Sequence, residues 1–559
     1  MGDFSRPAHG LRALFLGCLA LCGAACASVP SGRIGDTVDL VIAGTTDTHG
    51  WLRGWDYYTN QADLARGLTR LATIADSVRA ANPGRVILLD AGDILQGNPL
   101  AYFVAKVSAA QPNAIIAAMD AMHYDAAAIG NHEFNFGVPY LDSAIAQAQF
   151  PFLSDNTYRP DGTHAYPPWK IVVRDGVRVG IIGATTPGVM VWDASNIRGR
   201  LTLGDIIPAV RQSVAEVKRA GADLVVVVAH SGLDEASSYD TVTTGVPSED
   251  VAARIAREIT GIDLILYGHS HKEMRELTIG TTLLVQPKNW AASVSIVHMN
   301  LVRNASGWNV ARKTAELVQA ANHAESPAIL AATDSAQKRT VAYFNAPVGS
   351  TTVAWRADSS RLKDTPLIDL VLEVERREAG ADLAATASYI LSATLGRGPV
   401  TMAQLAQLDP YSNTLRAVRI GGKQLREYLE FSSRYYTGGI TPSGGLETNP
   451  RIPGYNFDIV SGVDYTIDLS KSIGSRITRL EYKGRAVSDS DSFTMAINNY
   501  RQAGGGGYSM LSGAPVVYDK QLEIRQLLVD EVRRRGELRP SDYFTPNWTL
   551  LPPAASAAR

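Results

Sequence analysis

The chain has 559 residues, a hydrophobic content of 45%, a charged content of 19% and a formal net charge of -2. That length exceeds what one core supports, so at least two domains are expected. The near-neutral charge excludes a broad electrostatic grip on polymeric nucleic acid or on an anionic membrane, so an anionic substrate has to be attracted locally.

In chain order, residues 1–27 read as a secretory signal peptide. Arg6 and Arg12 give a weakly basic start, Leu11 to Leu21 a short apolar stretch, and Gly23 to Ala27 a set of small residues. The stretch is too short to span a membrane. Two processing routes fit. Ala25-Cys26-Ala27 matches an A-x-A peptidase site; alternatively Cys26 carries a lipid, although Gly23 stands where a lipoprotein signal usually has Leu. The expected location is exported and periplasmic, either soluble or lipid-anchored at Cys26. All three cysteines (Cys18, Cys22, Cys26) fall in this segment. The mature chain is therefore expected to have no disulfide, no thiolate metal ligand and no cysteine nucleophile.

Residues 36–310 alternate strand-like and helix-like stretches, which predicts an α/β layered domain. Leu64, Leu68, Leu71 and Val78 fall on one predicted helical face, and Ile206, Val210, Val214 and Val217 on another. TLLVQP and SVSIVHMNLV read as further strands near the end of this region. Residues 325–345 read as a polar, Ala-rich connector helix. A second domain is expected over 346–548, with a helix at Leu367–Arg377, strands at LRAVRI and VDYTIDLS, and a run of glycines from Gly504 to Gly507. The tail LPPAASAAR reads as disordered.

Five short apolar runs in the first domain each end in polar residues that bind metals. They are LVIAGTTDTH (Asp47, His49), VILLDAGD (Asp93), AAAIGNH (Asn131, His132), LVVVVAH (His230) and LILYGHSH (His269, His271). Short Val/Ile/Leu-rich runs are the signal of buried strands, and ligands bind outside the carboxyl ends of such strands in open α/β sheets. In a strand, residues i and i+2 share a face, so Asp47 and His49 are expected to reach one metal. Taken singly, D-x-H reads as an Asp cap beside a satisfied histidine, Asp93 as a helix N-cap, and His230 as a packed or surface histidine. Gly130 and Gly268 strengthen their motifs by placing a small residue before two polar groups. Five of the ten histidines sit at strand ends, whereas His123 and His298 are expected to be structural or solvated. The joint set of two Asp, one Asn and five His is an oxygen/nitrogen site for two divalent metals, which points to metal-assisted hydrolysis of a phosphate ester.

The order D-x-H, GD, GNHE, H, GH-x-H resembles the calcineurin-like metallophosphoesterase family. The resemblance implies a four-layer α/β/β/α catalytic domain in which an Asp bridges two metals. Mapped onto this chain, Asp47, His49, Asp93 and His271 hold one ion, and Asp93, Asn131, His230 and His269 the other. The donor types suit Zn, Mn, Fe or Co. His132 then faces the scissile ester, to stabilise charge or protonate the leaving group.

GNHEFNFG, the connector, DPYSNTL and NNYRQAGGGGY resemble the 5′-nucleotidase family within that group. There, an α/β C-terminal domain binds the nucleoside between two aromatic rings. Tyr411, two residues before the Asn413-Thr414 pair, and Tyr500, after an Asn-Asn pair, occupy those places, and the resemblance assigns Tyr411, Asn413 and Tyr500 to the substrate. Three features depart from the 5′-nucleotidase pattern. Asn135 replaces an Asp; it still accepts a hydrogen bond from His132 but carries no charge to support an imidazolium. Gly506 replaces an Asp used on the ribose. A phosphate-gripping Arg has no counterpart near Ile390–Ala393, Arg397 being out of register. With AHSGL, WDASNI and YNFDIVSGVDYTID, these departures resemble the branch of periplasmic 2′,3′-cyclic-nucleotide 2′-phosphodiesterase/3′-nucleotidases. The expected activity is opening of small cyclic nucleotides to 3′-nucleotides, then removal of the 3′-phosphate. A 5′-nucleotidase or nucleotide-sugar hydrolase, an inactive nucleotide-binding protein, and more remotely a thiosulfate-ester hydrolase are the alternatives.

Overall fold

The computed structural model describes residues 33–411, 413–511 and 513–552. The signal segment 1–27, with Cys26, and the tail beyond residue 552 lie outside the described residues. Among the described residues, no helix is long and apolar enough to cross a membrane.

The first half contains β1 (Thr37–Thr45), α1 (Leu68–Ala81), β2 (Val86–Asp90), β3 (Ala126–Ala128), β4 (Phe152–Leu153), β5 (Trp169–Arg174), β6 (Val177–Thr185), α2 (Ile206–Arg219), β7 (Leu224–His230), β8 (Leu264–Tyr267), β9 (Met274–Ile279), β10 (Thr282–Gln286), β11 (Ser293–Asn304) and β12 (Gly307–Gln319). They form two six-stranded sheets, ordered β12-β11-β1-β2-β3-β4 and β9-β10-β8-β7-β6-β5. Alternation along each strand explains why the sheets stack. Leu40 and Ile42 of β1 meet Val226 and Val228 of β7 and Leu264 and Leu266 of β8 in the seam between sheets. The intervening Val41 and Ala43 pack with Leu71, Ala72 and Ile74 of α1. On the far side, Val225, Val227 and Ala229 pack with Ile206, Val210, Val214 and Val217 of α2. Strands covered on both faces read as unbroken apolar runs, and the result is α/β/β/α layering. Leu64 is an exception to the predicted helical face. Gly67, at φ 123°, breaks the chain just before α1, and Leu64 is exposed.

The connector is α3 (Pro327–Asn345). The second half holds α4 (Pro366–Ala379), β13 (Leu383–Ala387), β14 (Thr414–Gly421), α5 (Gly422–Ser433), β15 (Asp458–Ser461), β16 (Ser492–Asn498) and β17 (Val516–Glu523). Its five-stranded sheet has the order β15-β13-β16-β14-β17. Leu367, Leu370, Val371 and Val374 of α4 are buried in the core beside it. Two aromatic residues from the first half, Tyr102 and Phe103, also join that core, as does Phe344 of α3. The Arg525 guanidinium lies 4.7 Å over the Tyr102 ring, and Lys106 pairs with Glu523 at 3.2 Å. The two halves therefore meet through shared packing as well as through the connector.

Candidate active site

β1 and β2 run parallel with Thr45 opposite Asp90, and β7 runs parallel to both β6 and β8. Their carboxyl ends share one edge of the layers, where ligand sites form. Strand alternation does not explain how Asp47 and His49 converge, because β1 stops at Thr45. Turn geometry does. Asp47, His49, Asp93, His269 and His271 all have left-handed backbone, with φ of 49°, 50°, 60°, 72° and 55°. Such conformations cost about 1–3 kcal/mol each in non-glycine residues and collect at functional sites. Gly130 permits the close approach: a Cβ there would lie 2.2 Å from Asp93 Oδ1.

The donors gather in two groups. Asp47, His49 and His271 offer ligand atoms within 4.8 Å of one another, and Asp93, His230 and His269 do the same. Asn131 Oδ1 joins the second group, 3.0 Å from His230 Nε2. Asp93 Oδ2 lies 3.0 Å from His230 Nε2 and 3.8 Å from His49 Nε2. Its partner oxygen Oδ1 accepts the His132 N–H at 2.8 Å. A single carboxylate oxygen thus faces both groups.

Backbone carbonyls set the imidazole tautomers. His49 Nδ1 donates to Gln96 O at 2.7 Å and His230 Nδ1 to Ala91 O at 2.8 Å. A carbonyl only accepts, so each Nε2 turns a lone pair inward. At His230 that lone pair faces Asp93 Oδ2 and Asn131 Oδ1, two oxygen acceptors, an arrangement that calls for positive charge. The electrostatics agree. Burial disfavours charge on His230, yet Asp93 and Asp47 outweigh it and lift its pKa to about 10, so a proton takes up that lone pair and supplies the positive charge that a metal ion would replace. Burial dominates at His49, which falls to about 3 and is neutral. Burial opposes ionisation of Asp47, but the His271 hydrogen bond and charge hold it at about 2. Ionised carboxylates, an amide oxygen and imidazole nitrogens gathered in two adjoining groups fit a pair of divalent cations, which would displace the proton from His230.

Three residues to which the sequence reading gave no role hold these donors. Buried Glu133 accepts four backbone N–H bonds: Asp93 and Gly130 on Oε2 at 2.8 and 2.7 Å, Ile94 and Leu95 on Oε1 at 2.6 and 2.9 Å. It ties the Asp93 loop to the Asn131-His132 loop. Glu249 Oε1 sits 2.8 Å from His269 Nε2, which leaves Nδ1 of that ring for a metal. A carboxylate behind a ligating histidine fixes its orientation and raises its basicity. Gln96, besides holding His49, donates from Nε2 to Tyr411 O at 3.1 Å. Glu133 lay inside the GNHE motif; Glu249 and Gln96 carry no motif of their own.

His132 Nδ1 is 2.6 Å from Asn135 Oδ1, and its Nε2 is 4.0 Å from Asp93 Oδ2. The His132 and His271 side chains are 27% and 40% exposed, while the Asp47, His49, Asp93 and His230 side chains are buried. The site therefore opens on the His132–His271 side. His298 lies away from it, 3.0 Å from Asp39, and His123 is exposed.

The two tyrosines adjoin this centre from the second half. Tyr411, 42% exposed, meets Tyr389 edge to face at 5.5 Å and reaches His49 through Gln96. Tyr500 has its phenol pKa raised by burial, and it is near enough to Glu249 to feel that carboxylate. Asn413 turns its amide nitrogen to Asp409 Oδ1 at 3.1 Å. At Gly506, φ 73°, a Cβ would stand 2.3 Å from Arg501 Nη1 and 2.4 Å from Asn456 Oδ1, so no side chain fits there without displacing both. Arg397 is exposed.

Comparison with known proteins places the two halves. Residues 40–273 match the calcineurin-like phosphoesterase family, and residues 347–513 match the 5′-nucleotidase C-terminal domain. The chain is 30% identical to a 2′,3′-cyclic-nucleotide 2′-phosphodiesterase/3′-nucleotidase of Haemophilus influenzae, over 92% of this chain and 88% of that protein. It is 28% identical to the trifunctional nucleotide phosphoesterase protein YfkN of Bacillus subtilis, over 92% of this chain, and spans 39% of that protein's length. Among solved structures, a Staphylococcus aureus chain, provisionally a 5′-nucleotidase and crystallised with α-ketoglutarate, superposes with a TM-score of 0.79 at 25% identity. That match covers 92% of this chain and 100% of the other.

Proposed function

The chain belongs to the calcineurin-like metallophosphoesterases that carry a 5′-nucleotidase C-terminal domain, a family of phosphoric ester hydrolases, and on that premise we propose that it opens 2′,3′-cyclic nucleotides to 3′-nucleotides and dephosphorylates the latter to nucleosides. The observation that carries this reading is the convergence of both donor groups on Asp93 Oδ2, with Tyr411 tied to that same centre through Gln96. The catalytic domain is taken as 36–310, the connector as 325–345 and the nucleotide-binding domain as 346–548. An exported, periplasmic chain, soluble or lipid-anchored at Cys26, belongs to the proposal, supported by the composition of residues 1–27.

Asp47, His49, Asp93 and His271 would hold one divalent ion, and Asp93, Asn131, His230 and His269 the other; Zn, Mn, Fe and Co all suit these donors. When bound, such a pair polarises phosphoryl oxygens and lowers the pKa of a shared water. The protein's own residues do the rest. The His132 N–H occupies Asp93 Oδ1, which leaves Oδ2 to face both donor groups. His132, at the open lip of the site, presents Nε2 to the ester; as an imidazolium, with its Nδ1–H held by Asn135, it can protonate the departing oxygen from Nε2. Tyr411 and Tyr500 hold the base, each stack contributing about 1–3 kcal/mol with little base preference. A cyclic phosphodiester carries a single negative charge and needs fewer cationic grips than a terminal phosphate, which accords with the missing Arg counterpart near Ile390–Ala393.

Phosphate release by the mature protein, loaded with manganese or cobalt, tests the reading. Parallel reactions hold 2′,3′-cyclic AMP with added phosphatase, 3′-AMP or 5′-AMP. Preference for the first two supports it. Preference for 5′-AMP moves the chain to the 5′-nucleotidase alternative with the same metal centre.

A further inference from the structure

Asn135 lacks the charge that an Asp would bring to His132, yet a carboxylate stands directly behind it. Asn135 Nδ2 lies 3.0 Å from both Asp193 Oδ1 and Asp193 Oδ2. Asp193 is 4% exposed, and Asn196 Nδ2 donates to its Oδ1 at 2.9 Å and to Asn135 O at 3.3 Å. The residue before it, Trp192, stacks on the His269 ring with centroids 5.6 Å apart and planes 26° apart. One short segment thus touches the phosphate-facing histidine, through Asn135, and a donor of the metal centre.

This arrangement settles which way the Asn135 amide points. A carboxylate only accepts, so the amide nitrogen must face Asp193 and Oδ1 must face His132. Oδ1 also only accepts, so His132 must carry its proton on Nδ1. Without the carboxylate, the amide is free to turn over, present its NH₂ to the ring and favour the opposite tautomer. Burial lifts the Asp193 pKa to about 6, so the group is largely ionised at neutral pH and above.

We propose that Asp193 is a positioning residue for the reaction: through Asn135 it fixes the Nδ1–H tautomer of His132, aims Nε2 at the ester and supplies from one residue away the negative charge that position 135 lacks. The kinetic half of this proposal rests on the phosphoesterase reading; the tautomer half does not. Oriented outer partners of catalytic groups are typically worth about 10–100-fold.

Asp193→Asn keeps the shape and removes the charge. It is expected to lower kcat by about 10–100-fold with KM within about twofold. In zinc-loaded, ¹⁵N-histidine-labelled protein, the His132 resonances, assigned by their loss in His132→Gln, should lose the Nδ1–H signature. The double variant Asn135→Asp/Asp193→Asn puts a carboxylate directly on Nδ1. It should restore that signature and bring kcat back to within a few-fold of wild type. Circular dichroism and zinc content check that the variants are folded and loaded. Wild-type kcat with the Nδ1–H signature intact in Asp193→Asn overturns the proposal, and so does a loss that the double variant fails to reverse. Because the signature is read without substrate, a wild-type protein inactive on every nucleotide would sink the functional reading while the spectra still decide the role of Asp193.

Discussion

The donor groups around Asp93 and the tyrosines Tyr411 and Tyr500 adjoin one another across the two halves and are built by opposite rules. Around Asp93, the donors have second anchors: backbone carbonyls behind His49 and His230, Glu249 behind His269, and Glu133 gathering four N–H groups under two loops. Five of the donor residues are held in left-handed backbone that the surroundings must enforce. By contrast, Tyr411 rests on a loop with 42% of its surface exposed, and Tyr500 sits beside a run of glycines. Bond-making chemistry needs donors fixed to a fraction of an ångström, whereas stacking tolerates sliding and change of base. The donor groups are over-determined, and the tyrosines proposed to hold the base are lightly held.

Breaking the over-determined side should have the larger consequence. Asp93→Asn replaces the one carboxylate that faces both donor groups by a neutral amide. Turnover should fall by roughly 10³-fold or more, with reduced metal content by mass spectrometry. Full loading with wild-type turnover would remove the bridging role. Glu249→Gln leaves every donor in place and weakens the support of His269 alone. Metal retention against a chelator should drop by about 10–100-fold; unchanged retention would mean that the ring is oriented by something else.

On the lightly held side, Tyr500→Ala should raise KM for nucleotides about tenfold, in line with a stack of about 1–3 kcal/mol, and spare a base-free phosphodiester. Equal effects on both substrates would exclude the base sandwich.

The effect furthest from catalysis is thermodynamic and lies away from both sites. Burial and the neighbouring Asp364 carboxyl push Asp369 up to about 8. The folded chain then keeps a proton that the unfolded chain releases near pH 4, so this contribution to stability is complete below about pH 4 and lost as pH rises to about 8. The melting temperature of wild type should fall over that window more steeply than that of Asp369→Asn. Parallel slopes would show that the carboxyl pair does not titrate with folding.

Much of this architecture was legible because buried parallel strands leave an unmistakable apolar run, and each run stopped at or just before its donor. The layering followed from the same runs, and the α2 face from a helical period. What escaped has physical reasons. Leu64 kept the helical spacing, but Gly67 ends the pattern before α1 begins. Asp47 and His49 do converge, but turns rather than the i, i+2 pleat of a strand point them inward. Glu249, Gln96 and Asp193 act through isolated hydrogen bonds between loops distant in sequence, which no periodicity records. For Asn135 the reading stopped at the missing charge; the charge is present, fifty-eight residues further on.

Gln96 joins the two regions. Its carbonyl holds His49 and its side chain holds the backbone of Tyr411, so one residue belongs to both regions. Should this strut couple the proposed metal and nucleotide sites, the coupling has to be symmetric. Whatever factor metal loading contributes to nucleotide affinity, nucleotide must return to metal affinity. The scarcer of the two in the surroundings would then be retained longest when the other is plentiful.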